Sequence, residues 1–86
     1  MAMVTVRYWA AAKQAAGIAE ESLTAGTLAE ALSEMRARHA AAPDLAAVLA
    51  RSSFLIDGER ASHGPAREVS LRDGAVIEVL PPFAGG

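Results

Sequence analysis

Apolar and polar positions alternate from Met3 to Trp9 (MVTVRYW), putting Val4, Val6 and Tyr8 on one face of an extended chain and Thr5, Arg7 and Trp9 on the other. With its β-branched and aromatic residues, this run predicts a strand. The Ala-rich stretch AAAKQAAG then predicts a helical turn stopped at Gly17. EESLTAG reads as a short second strand ending at Gly26. From there the period changes. Leu28, Ala31, Leu32 and Met35 recur at helical spacing, and Thr27 with Glu30 makes a T-x-x-E capping signal at the start. Glu34 and Arg38 pair one turn apart on the wet side, and the helix is expected to end near His39. A shorter helix is predicted from Pro43-Asp44, with Leu45, Val48 and Leu49 inward. SFLID is a strand followed by the turn pair Asp57-Gly58. GERASHGPARE reads as loop, and SLRDG leads through a second Asp-Gly turn into AVIEVL, the most strand-like run in the chain.

The predicted order is therefore β–β–α–(α)–β–(β)–β. One strong helix stripe between strand pairs points to an α+β fold, with the helix packed across a mixed sheet of four to five strands and a second short helix beside it. The first and last strands are the most apolar and are expected to be central neighbours. This layout is the ubiquitin-like β-grasp. A single domain over residues 1–81 is expected, followed by a flexible tail over 82–86.

Composition narrows the chemistry. Of the 86 residues 21 are Ala, so the larger apolar side chains suffice for one two-layer core only. The absence of Cys excludes a disulfide framework, a zinc knuckle and a catalytic thiol. A net charge of −2 with interspersed signs gives no nucleic-acid groove, so no nucleic-acid partner is expected. No apolar run approaches a membrane span and no signal-like leader is present, so no membrane partner and a cytoplasmic location are expected. His39 and His63 lack ligand or nucleophile partners at useful spacing, and His39 reads as a surface residue favoured by a helix C-terminus. Ser52-Ser53 lack the glycines of a nucleophile elbow, and Gly58, Gly64 and Gly74 lack phosphate-loop spacing. The carboxylates read as scattered over wet faces. No constellation supports catalysis by the chain alone, and no bound cofactor or metal is expected.

The end of the chain, PPFAGG, is different. A frayed end or a cloning scar would also supply two glycines, but neither accounts for their following Pro-Pro and a buried-looking strand. An α-carboxyl titrates near ~3.3–3.7, so Gly86 carries a carboxylate at neutral pH without help from a base. Attack of that carboxylate on the α-phosphorus of ATP gives an acyl-adenylate, which sulfur, a thiol or an amine can capture. Gly85 and Gly86 lack Cβ atoms and can thread a narrow channel, and Pro81-Pro82 stiffens the exit. Phe83, with Ala84 beside it, has no core to join and is expected to anchor in a partner groove. Trp9 and Leu80 fall out of phase with the core-facing residues of their strands. They form either a partner surface or two singly exposed apolar residues of the ordinary kind. Lys13 reads as solvated, or as pairing with an acidic partner surface.

VRYWAAAKQAAG near the start, the capped helix, and the L-x-D-G, apolar strand, P-P-x-x-G-G block from Leu71 to Gly86 together resemble the MoaD/ThiS-type ubiquitin-like sulfur-carrier family. They are most similar to the small subunit of molybdopterin synthase. The resemblance covers essentially the whole chain. It implies that Gly86 is adenylated by an E1-like adenylyltransferase/sulfurtransferase, which uses the ATP, and is then converted to a thiocarboxylate. It also implies that the tail enters the large subunit of molybdopterin synthase and delivers sulfur to a pyranopterin precursor, with Gly85 as its slim neighbour. The chain would then be a sulfur-donating subunit and not an enzyme by itself. Trp9, Lys13, Leu80, Pro81, Pro82, Phe83 and Ala84 would contact partners. Carriers for thiamine or cysteine synthesis, and modifiers that form isopeptide bonds through the terminal glycine, remain open.

Overall fold

A computed structural model describes residues 2–61 and 65–82. Strand β1 (Ala2–Tyr8) buries every second residue, as its alternation requires. It pairs antiparallel with β2 (Glu20–Ala25) and parallel with β5 (Val76–Leu80). Strand β5 also pairs antiparallel with β3 (Ser53–Ile56), and β3 with the two-residue β4 (Glu59–Arg60). The five-stranded sheet has the order β2-β1-β5-β3-β4. The first and last strands are parallel neighbours, as their apolar character suggested.

Three helices cover one face. The Ala-rich segment forms α1 (Ala10–Ala16), a seven-residue helix rather than the single turn expected from sequence. It packs against α3 (Pro43–Arg51), and this contact stabilises a segment too short to hold itself. Gly17, at φ 79°, ends α1 in the left-handed region and returns its N–H to the Lys13 carbonyl. Helix α2 (Leu28–Arg38) starts at Thr27, whose Oγ1 accepts the Glu30 N–H at 3.2 Å. Glu30 reaches back one residue further than a reciprocal capping box predicts. Its Oε1 accepts the N–H of Gly26 at 2.7 Å, not that of Thr27.

The core lies between sheet and helices: Val4, Val6 and Tyr8 from β1, Leu23 from β2, Leu28 and Met35 from α2, Leu45 and Leu49 from α3, and Ile77 and Val79 from β5. Each such aliphatic side chain contributes about 1.5–3 kcal/mol on burial. Both Asp-Gly pairs act as the sequence implies. Asp57 (φ 53°) and Gly58 (φ 85°) have the two positive φ angles of a tight hairpin turn, and Asp57 Oδ1 also accepts the Val76 N–H at 3.0 Å. At the second pair, Gly74 (φ 87°) donates its N–H to the Met3 carbonyl, while Asp73 Oδ1 accepts the Met3 N–H at 2.8 Å. These bonds fasten the entry of β5 to the start of β1 and so set the parallel register. Among the described residues no helix is long and apolar enough to cross a membrane.

Candidate functional site

The site is the end of the sheet where β5 gives way to the C-terminal segment. β5 is held on both sides, by β1 and β3, so its last residues are positioned by two ladders. Leu80 is the final paired residue, opposite Ser53. Pro81 and Pro82 follow, and with no N–H to donate they end the strand. Phe83, Ala84, Gly85 and Gly86, which carry the expected acyl chemistry and the expected anchor, lie outside the described residues. So do His63 and Gly64.

Because β1 and β5 run parallel, both leave the sheet at this same end. The register Tyr8↔Val79 continues to Trp9 beside Leu80. Trp9 is still extended (φ −119°, ψ 151°), whereas the next residue, Ala10, lies at φ 48°. The left-handed region costs an L-residue roughly 1–2 kcal/mol. That strain turns the chain from strand to helix within one residue and leaves the indole on the open face, 43% exposed. Leu80 is less exposed than expected: it is half-buried.

The indole is also held in place, which the sequence did not reveal. Its Nε1–H donates to Glu78 Oε1 at 3.2 Å, and the Arg7 guanidinium lies over the ring, 5.5 Å from its centroid. Arg7 in turn meets Glu20 at 3.6 Å. Glu20, Arg7 and Glu78 are cross-strand neighbours on the open face, so a row of alternating charge runs beneath the Trp9 ring. An anchor whose rotamer is already fixed loses little entropy when a partner covers it.

On the helix side of the same end, an open cleft of about 660 Å³ lies between α1 and α3, lined in part by Ala11, Ala15, Val48, Arg51, Pro81 and Pro82. The exiting chain therefore has the Trp9 face on one side and this cleft on the other. Lys13 is exposed on α1 but does not line the cleft.

A second cluster corrects two sequence expectations. Glu21 is not on a wet face and His39 is not a free surface residue: their side chains are only 12% and 13% exposed. Glu21 Oε2 accepts the Tyr8 hydroxyl at 2.5 Å and lies 2.7 Å from His39 Nε2, with Arg38 at 3.5 Å from Oε1. The His39 ring packs edge-on against Tyr8, centroids 5.9 Å apart. Burial penalises the Glu21 carboxylate, but the hydrogen bonds from Tyr8 and His39 and the charges of His39 and Arg38 outweigh it, and the carboxyl is held below its usual range. Burial, and then the adjoining carboxylate, push the Tyr8 phenol far upward, so it stays protonated and donating. The signal was present in the sequence. Glu21 is in phase with the buried Leu23 and Ala25, which puts it on the inward side of β2. The cluster clasps the C-terminus of α2 to β1 and β2. Ser52, the other polar candidate of the sequence, donates its hydroxyl to the Val48 carbonyl at the end of α3. Among the described residues no group of three or more His, Asp or Glu side chains is placed to hold a metal.

Comparison with known proteins follows the fold. The family model described as the ThiS family matches residues 6–86. No curated protein matches in sequence. Among solved structures, the small archaeal modifier protein 1 of Methanosarcina acetivorans is 27% identical, with 100% of this chain and 98% of that chain covered, at a TM-score of 0.83. A complex of subunits 1 and 2 of molybdopterin-converting factor from Helicobacter pylori contains a chain that is 26% identical, with 98% and 99% covered, at 0.66. A putative molybdopterin converting factor subunit 1 from Pyrococcus furiosus is 22% identical, with 96% and 100% covered, at 0.74, and shares the fold.

Proposed function

Because the chain belongs to the ThiS family, we propose that it is a ubiquitin-like sulfur carrier whose Gly86 is adenylated and then thiocarboxylated. One observation carries this reading: the family match runs from residue 6 of β1 through the sheet to the terminal glycine pair. The chain's own contribution is positional. Two ladders hold β5, the proline pair ends it, and the fixed Trp9 face and the cleft beside α1 give a partner two surfaces at that end of the sheet. The Gly86 carboxylate attacks the α-phosphorus of ATP in the partner's active site, and pyrophosphate leaves. A sulfur nucleophile then forms the C–S bond as AMP leaves.

Within this reading the acceptor is the pyranopterin precursor of molybdopterin, with this chain as the small subunit of molybdopterin synthase and the large subunit as its partner. The likeness to a chain in the Helicobacter pylori complex supports that choice. A second reading, a protein modifier joined to lysines through Gly86, draws support from the likeness to the small archaeal modifier. Intact mass of the protein recovered from its own cells separates the two. Oxygen-to-sulfur exchange at the C-terminus supports the carrier, and Gly-Gly remnants on lysines of other proteins support the modifier. In an ATP–pyrophosphate exchange assay with the cognate activating enzyme, a chain lacking Gly86 should be inactive. Undiminished exchange would remove the mechanism.

A further inference from the structure

The cleft of about 660 Å³ between α1 and α3 exists because the side chains that face one another across it are short. Ala11 and Ala15 stand one turn apart on α1, and Ala47 and Val48 stand side by side on α3. The two helices pack together, yet these small residues leave a slot between them. Ala15 and Val48 also pack against the core, so the floor of the slot is apolar and continuous with it. The slot lacks a bulky apolar side chain to fill it. The chain carries one at the adjoining position. Pro82 lines the cleft and Phe83 is bonded to it, which places the two Cα atoms about 3.8 Å apart. The ring needs no further reach to enter. Seating it orders one residue beyond a pair whose φ angles the pyrrolidine rings already fix, and it buries an aromatic surface at the cost of two side-chain torsions.

The charges of the cleft favour the same occupant. Arg51 lines it and, among the described residues, is engaged in no ion pair. It closes α3 just before Ser53, the residue opposite Leu80, and so stands at the end of the sheet where β5 finishes. Asp44, the acidic residue of the lining, is at the other end of α3, about 10 Å along the helix axis. In the reading proposed above Gly86 is a carboxylate. It follows Phe83 by three residues, a span of at most about 10 Å, which keeps it within reach of Arg51.

We propose that the cleft between α1 and α3 is the seat of Phe83 of the same chain, with the Gly86 carboxylate paired to Arg51. A partner enzyme then meets the segment held against its own domain and has to draw it out, and its apparent affinity is scaled by the undocked fraction. Drawing the segment out also uncovers the cleft as a surface for that partner. The seat of Phe83 does not depend on the chemistry of Gly86, whereas the pairing with Arg51 rests on that reading.

The test is NMR of the isolated full chain, which needs no activating enzyme, so its failure would leave the carrier reading standing. The expected result is a set of NOE contacts from the Phe83 ring to the methyl groups of Ala11, Ala15, Ala47 and Val48, with a ring-current displacement of those signals that Phe83→Ala removes. Ala47→Trp fills the cleft from an exposed helix position and should abolish the contacts to Ala11 and Val48. Ala46→Trp, exposed on the same helix but outside the cleft, should keep them. Arg51→Gln should shrink the displacement, lowering the docked-to-free ratio about two- to five-fold, the worth of an exposed ion pair. The proposal is overturned by the absence of these contacts, by methyl signals that Phe83→Ala leaves unmoved, by contacts that persist in Ala47→Trp, by an unchanged displacement in Arg51→Gln, or by contacts that fade on dilution, as the segment of a second copy would give.

Discussion

Replacing Glu21 tests the buried clasp directly. Its carboxylate is the common acceptor for the Tyr8 hydroxyl and His39 Nε2, with Arg38 alongside. In Glu21→Ala the Tyr8 hydroxyl, on a residue only 2% exposed, and the His39 ring both lose their partner. Breaking a buried charge-bearing pair costs about 3–5 kcal/mol. The lower end, about 3 kcal/mol, is expected here because Glu21 and His39 keep some contact with solvent. An 86-residue domain has of order 4–13 kcal/mol in total, so the loss is severe. Glu21→Gln should cost less, about 1–2 kcal/mol, since an amide oxygen at the Oε2 position keeps both hydrogen bonds, while their charge assistance and the Arg38 contact at the Oε1 position are lost. The two variants also differ in pH dependence. The folded Glu21 carboxyl titrates below its unfolded value of about 4.5. The stabilisation is therefore complete above that value and is lost as the pH falls through the lower, folded one. Glu21→Gln has no such group, so its acid limb should be flatter than that of the wild type. Urea unfolding across the acid range measures both effects, and a double-mutant cycle with Tyr8→Phe isolates the hydroxyl bond. A loss below about 1 kcal/mol in Glu21→Ala, or parallel acid limbs for wild type and Glu21→Gln, would show that solvent already screens the cluster, and the clasp argument would fail.

Trp9→Ala should weaken binding of the partner by about 2 kcal/mol or more while costing little folding stability, because the indole is exposed and held by surface contacts; equal losses in denaturant midpoint and affinity would instead make it a structural residue. Gly74→Ala should destabilise by about 1–2 kcal/mol through its φ of 87° alone, since no atom stands within 4 Å of the added methyl, and an unchanged thermal midpoint would contradict that account. Ala10→Gly relieves the left-handed strain at φ 48° but loosens the unfolded chain, so its stability should stay within about 1 kcal/mol of the wild type, and a larger loss in calorimetry would show that the Ala10 methyl is packed. Thr27→Ala should cost about 1 kcal/mol by freeing the Glu30 N–H, as circular-dichroism melts can measure.

Wherever one local rule sufficed, the chain announced its structure in its residue order. Period-two alternation in β1 and β5, the helical stripe of α2, the Thr27 cap and both Asp-Gly turns need only neighbours a few positions away, and they led to the β-grasp and its parallel central pair. The terminal Gly-Gly block stood out in the same local way, and the family match runs through it; the chemistry proposed for it calls for a carboxylate and slim residues, not a pocket assembled from distant parts. What only the tertiary structure decided involves residues far apart in the chain. Glu21 and His39 lie 18 positions apart and looked like separate surface groups until β2 and the end of α2 closed over Tyr8. The indole of Trp9 gained its place from Glu78, 69 positions away, once β1 and β5 ran side by side. The length of α1 depended on α3, against which it packs. Local propensity cannot encode these pairings, because each follows from which surfaces meet when the core closes.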